Sequence, residues 1–349
     1  MWLFSAPYRV SIAGGGSDIP AWFKKDMGAV FGFATKQRLY GLAHPSFDRQ
    51  WLVRYRAEEK CDCVEKINHD IIRESVAAFY SDCPPLEISC HGELPGHNTG
   101  LGASSAFSAG FCSLLLHLTG WREDLLPEIV ALHAAKVELG KLKRDMGLQE
   151  IYTCSYGGAN LLIFDKEGPE VYPLNSNATE ALSQYVLEHC ALIYAPEEET
   201  LRGSFKDFTQ NIASVCEQQE LTRASVCLAI ETYNQINTGN TEFIYEATAA
   251  AWEIKKKNHA TSSSGDAGKI VDELRDKGFA ARLCGGGRGG FIFTCLKHAK
   301  DWDRLRSFCT DHSLNFRNTC VGLAPAKTTL LSTSIEMGSF PPANQPGSM

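Results

Sequence analysis

No stretch of this chain is long and apolar enough to cross a membrane as a helix. Its apolar segments, such as Ala159 to Phe164, are strand-sized, far short of the roughly 20 residues a spanning helix needs. The opening MWLFSAPYRV lacks the charged region and long apolar core of a secretory leader. A surplus of positive charge is missing too: 34 Lys and Arg against 41 Asp and Glu give a formal net charge of −7. That excludes a general nucleic-acid surface but leaves room for a local basic pocket that takes small anions. There is no internal repeat, and no biased segment before the Pro/Gly-rich ending MGSFPPANQPGSM, which is expected to be disordered. Cys-x-x-Cys pairs are also lacking, although cysteines number 13. Their count is odd, their spacings are scattered, and Cys112, Cys227 and Cys295 sit among apolar neighbours, where a free thiol behaves as a small hydrophobe. Cys61 and Cys63 with His69 fit a zinc spacing poorly. These features predict a reduced, cytoplasmic protein without a structural metal. At 349 residues the chain exceeds what one core usually serves, so two domains are expected.

What the chain does have is glycine in three clusters. The first, AGGGSD at residues 13–18, follows a strand pattern over LFSAPYRVSI that Pro7 interrupts. Asp18 is then either an acceptor for ligand hydroxyls or an N-cap for Ile19 to Phe23. Arg9, one short strand earlier, is either phosphate-facing or solvated.

The second cluster organises the rest. PGHNTGLGASSAF runs from Pro95 to Phe107 and leads into the apolar run Ala106, Phe107, Ala109, Phe111, Leu114 and Leu115. A helix beginning at Ser104 and Ser105 turns its unpaired N–H groups and positive end back into the loop. That is a ready site for phosphate; an ordinary loop with a Ser N-cap is the plainer alternative. The third cluster, LCGGGRGGF at residues 283–291, separates two strand patterns.

Between these landmarks, helical spacing covers residues 63–80 and 125–139, the latter carrying Glu138. A polar stretch at 165–177 marks a domain boundary, and Val186 to Tyr194 reads as a strand. Further helices are expected over 205–237, 242–257 and 268–277, with a last helix and strand over 302–335. A dinucleotide-binding reading of the glycines fails, because AGGGSD lacks the G-x-G-x-x-G spacing.

The three motifs in this order, APYRVSIAGGGSD, PGHNTGLGASSAF and LCGGGRGGF, resemble those of the GHMP small-molecule kinases over nearly the whole chain, from Ala6 to about Ile335. With Trp252, Lys255 and Lys256, they look most like the branch that phosphorylates D-glycero-D-manno-heptose 7-phosphate at its anomeric hydroxyl. L-fucokinase-like and galactokinase-like enzymes share much of the pattern. The resemblance implies an α+β, two-domain fold. Residues 1–170 would form a domain like ribosomal protein S5 domain 2, residues 171–336 a ferredoxin-like one, and 337–349 a disordered tail. It implies ATP and Mg²⁺ as cofactors, with Pro95, Gly100, Leu101, Gly102, Ala103, Ser104 and Ser105 around the nucleotide phosphates. Ser104 and Glu138 would hold the metal. Arg9 would stabilise charge at the γ-phosphate, and Asp18, Gly16, Ser17, Tyr156, Gly157, Gly286, Gly287 and Arg288 would surround the sugar. The implied partner is a sugar or sugar phosphate, with no nucleic acid, no membrane, and a homodimer left open.

Two departures stand out. Relatives of this branch often read G-K-Q-D-Q-Y before the glycine turn, with the Asp taken as base. Here the run is Gly147, Leu148, Gln149, Glu150, Ile151, Tyr152, so Glu150 inherits the base with an arm one methylene longer. Arg288 stands where a glycine is usual. These departures keep a second reading open, that of a catalytically silent protein that binds a metabolite or partner.

Overall fold

The computed structural model describes residues 1–81, 84–95, 99–120, 126–195, 216–258, 265–286 and 289–331. Gly287, Arg288 and the ending 337–349 lie outside them, as does the 205–215 part of the helix expected over 205–237.

The chain opens with β1 (Trp2–Ala13) and, after the first glycine cluster, a short α1 (Pro20–Phe23). A long β2 (Gly28–Pro45) then runs antiparallel to β1 and serves two partners. Its first part pairs with β6 (Ala159–Asp165) and its last with β5 (Leu86–Gly92). β3 (Trp51–Arg54) adds parallel to β5, β4 (Glu58–Cys61) closes that edge, and β7 (Gly168–Pro173) pairs with β6. The other edge of this 8-stranded sheet is β12 (Lys327–Leu330), paired with β1. Pro7 does not end β1 as expected; the strand continues, and the register with β2 shifts between Pro7 and Arg9. Proline cannot donate to the ladder, and a local slip accommodates that.

Helices α2 (Asp70–Phe79), α3 (Ala103–Leu118), α4 (Pro127–Ala135) and α5 (Gln149–Tyr156) join this sheet in a core that includes Trp22, Ile72, Phe111, Leu115 and Ile151. The helix read over 63–80 is shorter than expected. A 3₁₀ turn at Val64–Lys66 precedes α2, which starts where the His69 ring accepts the Ile72 N–H at 3.5 Å. The helix read over 125–139 ends at Ala135 and passes into a π-helical turn, Lys136–Lys141.

The second sheet has four antiparallel strands in the order β11 (Asn315–Asn318), β8 (Cys190–Ala195), β10 (Gly290–Cys295), β9 (Ala280–Leu283). Counted within this unit the order is 4-1-3-2, the ferredoxin-like arrangement. The strand read at Val186–Tyr194 begins only at Cys190, because α6 (Ser176–His189) claims the earlier residues. Asn175 caps α6 by accepting the Ala178 N–H at 2.9 Å, and Ala178, Leu182, Tyr185 and Val186 are buried at helical spacing. After α7 (Cys216–Asn237) and α8 (Phe243–Asn258), α9 (Asp266–Asp276) and α10 (Trp302–Asp311) pack on this sheet through Val271, Leu274, Leu305 and Phe308. The two sheets share one continuous core, where the rings of Phe33 and Phe293 meet edge to face at 5.9 Å. Every described cysteine whose side chain is placed is free.

Candidate active site

The three glycine clusters converge where the two sheets meet. Gly14 N–H donates to Ser225 Oγ on α7 at 3.0 Å, and Arg282 on β9 donates to the Ile12 carbonyl. Phe291 N–H donates to the Thr99 carbonyl at 2.9 Å. Gly100 and Gly285 touch: a Cβ on Gly100 would lie 2.5 Å from the Cys284 carbonyl oxygen, at φ +68°. Only glycine combines that positive φ with so close an approach.

Arg9 sits at the centre with its side chain 2% exposed. Its N–H is spent on the Leu101 carbonyl at 2.9 Å, and its guanidinium bonds the Gly100 carbonyl and the Glu150 carboxylate. Gly102 gives the chain its left-handed turn into α3 (φ 72°) and packs on Arg9 and Glu150. The α3 N-terminus and the candidate base are therefore held by one arginine.

Asp18 is 1% exposed and does not cap α1, whose N-cap is Ile19. One of its oxygens accepts from Gly16 N–H at 3.0 Å, the other from Gln149 N–H at 3.0 Å at the start of α5. Burial pushes its carboxyl above the usual range, and these backbone donors oppose the rise. A Cβ on Gly147 would collide with the Asp18 carboxylate, so glycine there is a condition of the contact.

Arg9, Asp18, Glu150, Gly14 to Gly16, Gly147 and Gln149 line a cavity of about 250 Å³ with Lys255, Arg282, Ser225, Gly285 and Gly286. The Lys255 ammonium donates to the carbonyls of Leu283 (3.0 Å) and Gly285 (2.7 Å). Burial, together with repulsion from Arg282 and Arg9, lowers its pKa to about 7. Burial likewise brings Arg282 down to about 10. Among the described residues neither cation is paired with a carboxylate, whereas Lys256 is bonded to Asp272 at 3.1 Å. The cavity thus carries a surplus of positive charge.

A second cavity, about 690 Å³, opens beyond α3 and is lined by Ala103, Ser104, Phe107, Tyr55, His69, Asp70 and Arg144 among others. Its wall is aromatic: the His69 ring lies 4.7 Å from Phe107 and 4.9 Å from Tyr55. An aromatic wall of this kind suits a flat heterocyclic base. At its polar end Ser104 Oγ donates to Glu138 Oε2 at 3.1 Å. Glu138 is fully buried on the π-helical turn, a local widening often found at functional positions. Its Oε1 has no partner among the described residues, and burial pushes its carboxyl up against the opposing pull of Arg144. A hydroxyl beside a carboxylate with a free oxygen is a hard-oxygen donor set that fits Mg²⁺. Arg144 bonds the same Ser104 hydroxyl, Glu138 Oε2 at 2.8 Å and Asp70 Oδ2 at 2.9 Å.

Not every expected residue lines these cavities. Ser17 is fully buried, its hydroxyl bonded to the carbonyls of Gly14 (2.7 Å) and Ala29 (3.1 Å), so it fastens the glycine turn. Tyr156 stacks on Tyr152 at 6.2 Å, and Gly157 packs on the Ala324 backbone; neither lines either of these two cavities. Ser105 and Leu101 are fully buried behind the loop, and Pro95 is exposed before it. Arg282, Gly147, Ser225, Asp70 and Arg144 were missed. Only Arg282, just before the third glycine cluster, had a local signal.

No family model matches the chain, and no curated protein is similar to it in sequence. Solved structures are similar in fold. A D-glycero-D-manno-heptose 1-phosphate kinase from Bacteriodes thetaiotaomicron superposes with TM-score 0.75 at 15% identity, over 95% of this chain and 100% of that one. The Methanococcus jannaschii mevalonate kinase gives 0.71 at 15%, over 91% and 98%. A Lactococcus lactis galactokinase complexed with galactose gives 0.70 at 15%, over 94% of each. These neighbours are GHMP-family kinases, and the chain has their two-domain fold.

Proposed function

We propose, taking the GHMP-kinase fold as the premise, that this chain is an ATP-dependent kinase that phosphorylates a sugar phosphate at its anomeric hydroxyl. One observation supports the reading: a cavity lined by two carboxylates, Asp18 and Glu150, and three cations, Arg9, Lys255 and Arg282, lies across the Gly100–Ser104 turn from an aromatic-walled cavity. Donor and acceptor sites of a phosphoryl transfer need that adjacency, because the reaction is mostly positioning and charge stabilisation.

In this reading the base and phosphates stack in the larger cavity, with the tail on the backbone N–H groups opening α3. Ser104 and Glu138 would hold Mg²⁺, which when bound neutralises phosphate charge. Glu150 takes the proton of the attacking hydroxyl. Arg9 holds Glu150 beside the Gly100 turn, so base and phosphate site cannot drift apart. Asp18, fixed by backbone donors, accepts from a sugar hydroxyl. Lys255 and Arg282 favour a sugar already bearing phosphate over a neutral one. A D-glycero-D-manno-heptose phosphate is the first substrate to try. The cytoplasm, where ATP is plentiful, is the proposed location, and residues 1–170 and 171–336 are the proposed catalytic halves, with the rest of β7 and all of β12 returning to the sheet of the first.

The test is ADP release from Mg-ATP across a panel of sugars and sugar phosphates, with Glu150→Gln as control. Turnover on a phosphosugar, reduced about 10²–10⁴-fold in the variant, supports the reading. Tight sugar binding without ADP release would instead favour a silent metabolite-binding protein.

A further inference from the structure

Arg144 is the residue that the proposed reaction does not use and that the geometry singles out. It follows the π-helical turn, and its backbone N–H returns to the Glu138 carbonyl at 3.0 Å, which fixes the start of its side chain. One guanidinium nitrogen meets both Ser104 Oγ and Glu138 Oε2; the other meets Asp70 Oδ2 at 2.9 Å, at the start of α2. Ser104, Asp70 and Arg144 all line the 690 Å³ cavity. The two carboxylates share this single cation, so the cluster holds one formal negative charge too many. Glu138, fully buried, still has an oxygen with no partner among the described residues.

We infer that Arg144 is an exchangeable internal cation, occupying the Ser104–Glu138 pair when no divalent ion is there and binding nucleotide phosphate directly. The inference rests on the kinase reading for its nucleotide arm only. Asp70, exposed on the cavity side, is a second anchor. The guanidinium can leave Ser104 and Glu138 for a phosphate oxygen while one nitrogen stays on Asp70. A planar fork of donors suits that exchange, since it grips carboxylate and phosphate with the same geometry. Two consequences follow. Nucleotide binds without divalent metal, because one positive charge is already in place. Free divalent ion binds weakly in the absence of nucleotide, because it must displace an arginine.

The test uses the full chain in two titrations. In the first, a fluorescent ATP analogue is titrated in EDTA and in Mg²⁺. The wild-type protein is expected to bind in EDTA within about tenfold of its affinity in Mg²⁺, and Arg144→Met to lose at least tenfold in EDTA only. In the second, Mn²⁺ alone is titrated and read by electron paramagnetic resonance. Arg144→Met is expected to bind Mn²⁺ at least tenfold more tightly than wild type. Because that variant strands a buried carboxylate, the double variant Glu138→Gln/Arg144→Met is the companion, and it is expected to lose the Mn²⁺ gain while keeping the fold. Equal Mn²⁺ affinity in wild type and Arg144→Met overturns the inference, whatever the nucleotide does. If no nucleotide binds any variant but Mn²⁺ tightens as stated, the exchange stands and the kinase reading falls.

Discussion

Replacing Lys255 by Met is the perturbation with the most readable consequence. The ammonium is held by two carbonyl oxygens at 3.0 and 2.7 Å beside Arg282, in the cavity that also holds Glu150. Burial has brought its pKa to about 7. The protonated form attracts an anionic substrate, and it is lost as pH rises through 7. Half of the molecules carry the charge at pH 7 and roughly one in a hundred at pH 9, so affinity should fall by up to about fifty-fold over that interval. A substrate phosphate is already close to doubly charged above pH 7, its second pKa being about 6, so it adds little slope there. Bound phosphate raises the lysine pKa in turn, so affinity falls from the free value of about 7 up to that raised value. The assay is isothermal calorimetry of a sugar phosphate at pH 7, 8 and 9, in wild type and in Lys255→Met. The variant should bind weakly and with no slope over this range. A flat wild-type profile, or an equal slope in the variant, would refute the assignment of Lys255 to the substrate anion.

Three further outcomes follow from the packing. Gly147→Ala drives a methyl into the Asp18 carboxylate, so stability should drop by about 1–3 kcal/mol in a denaturant melt; an unchanged midpoint would show that the Asp18–Gln149 contact is not as drawn. Gly100→Ala combines a positive φ with a collision at Cys284 and should cost more than the ~1 kcal/mol that a compatible Gly→Ala change gains, with sugar affinity falling alongside. Arg38 donates to the carbonyls of Ala324 and Pro325, each at 2.7 Å, and to Ser5 Oγ at 3.1 Å. Arg38→Met should cost about 3 kcal/mol or more, since bonds from a charged donor contribute roughly 1.5–3 kcal/mol each. It should also expose the chain near residue 324 to limited proteolysis.

Local grammar carried much of this site. The three glycine clusters, Arg9, Asp18 and Ser104 stand out in the sequence because each lies at or near a glycine turn or a helix start, whereas Glu138 and Glu150 are reached only through the resemblance to the GHMP kinases. What local grammar could not give is which distant groups complete the site. Asp70 and Arg144 come from separate elements and meet only through folding. Gly147 reads as an unremarkable loop glycine until the Asp18 carboxylate is seen against it. Asp18 reads as a cap for the helix beside it, yet its carboxylate accepts from the Gln149 N–H at the start of α5 instead. Ser17 and Gly157 sit in glycine-rich motifs that read as ligand-facing, yet Ser17 ties the glycine turn to Ala29 and Gly157 packs on the Ala324 backbone. The strand expected from Val186 begins only at Cys190, because the apolar residues before it continue the buried face of a helix that Asn175 starts. Periodicity alone does not separate the two.

The pairing of Trp2 with Leu330 has a consequence for synthesis in the cell. β1 is made well before β12 and waits for that neighbour until both lobes have been synthesised. During that interval its open side is a target for other nascent chains, and a truncated product ending before Lys327 would keep it open permanently. Quality control that recognises bare strand edges should therefore clear such truncations faster than an equally short chain cut from the opposite end.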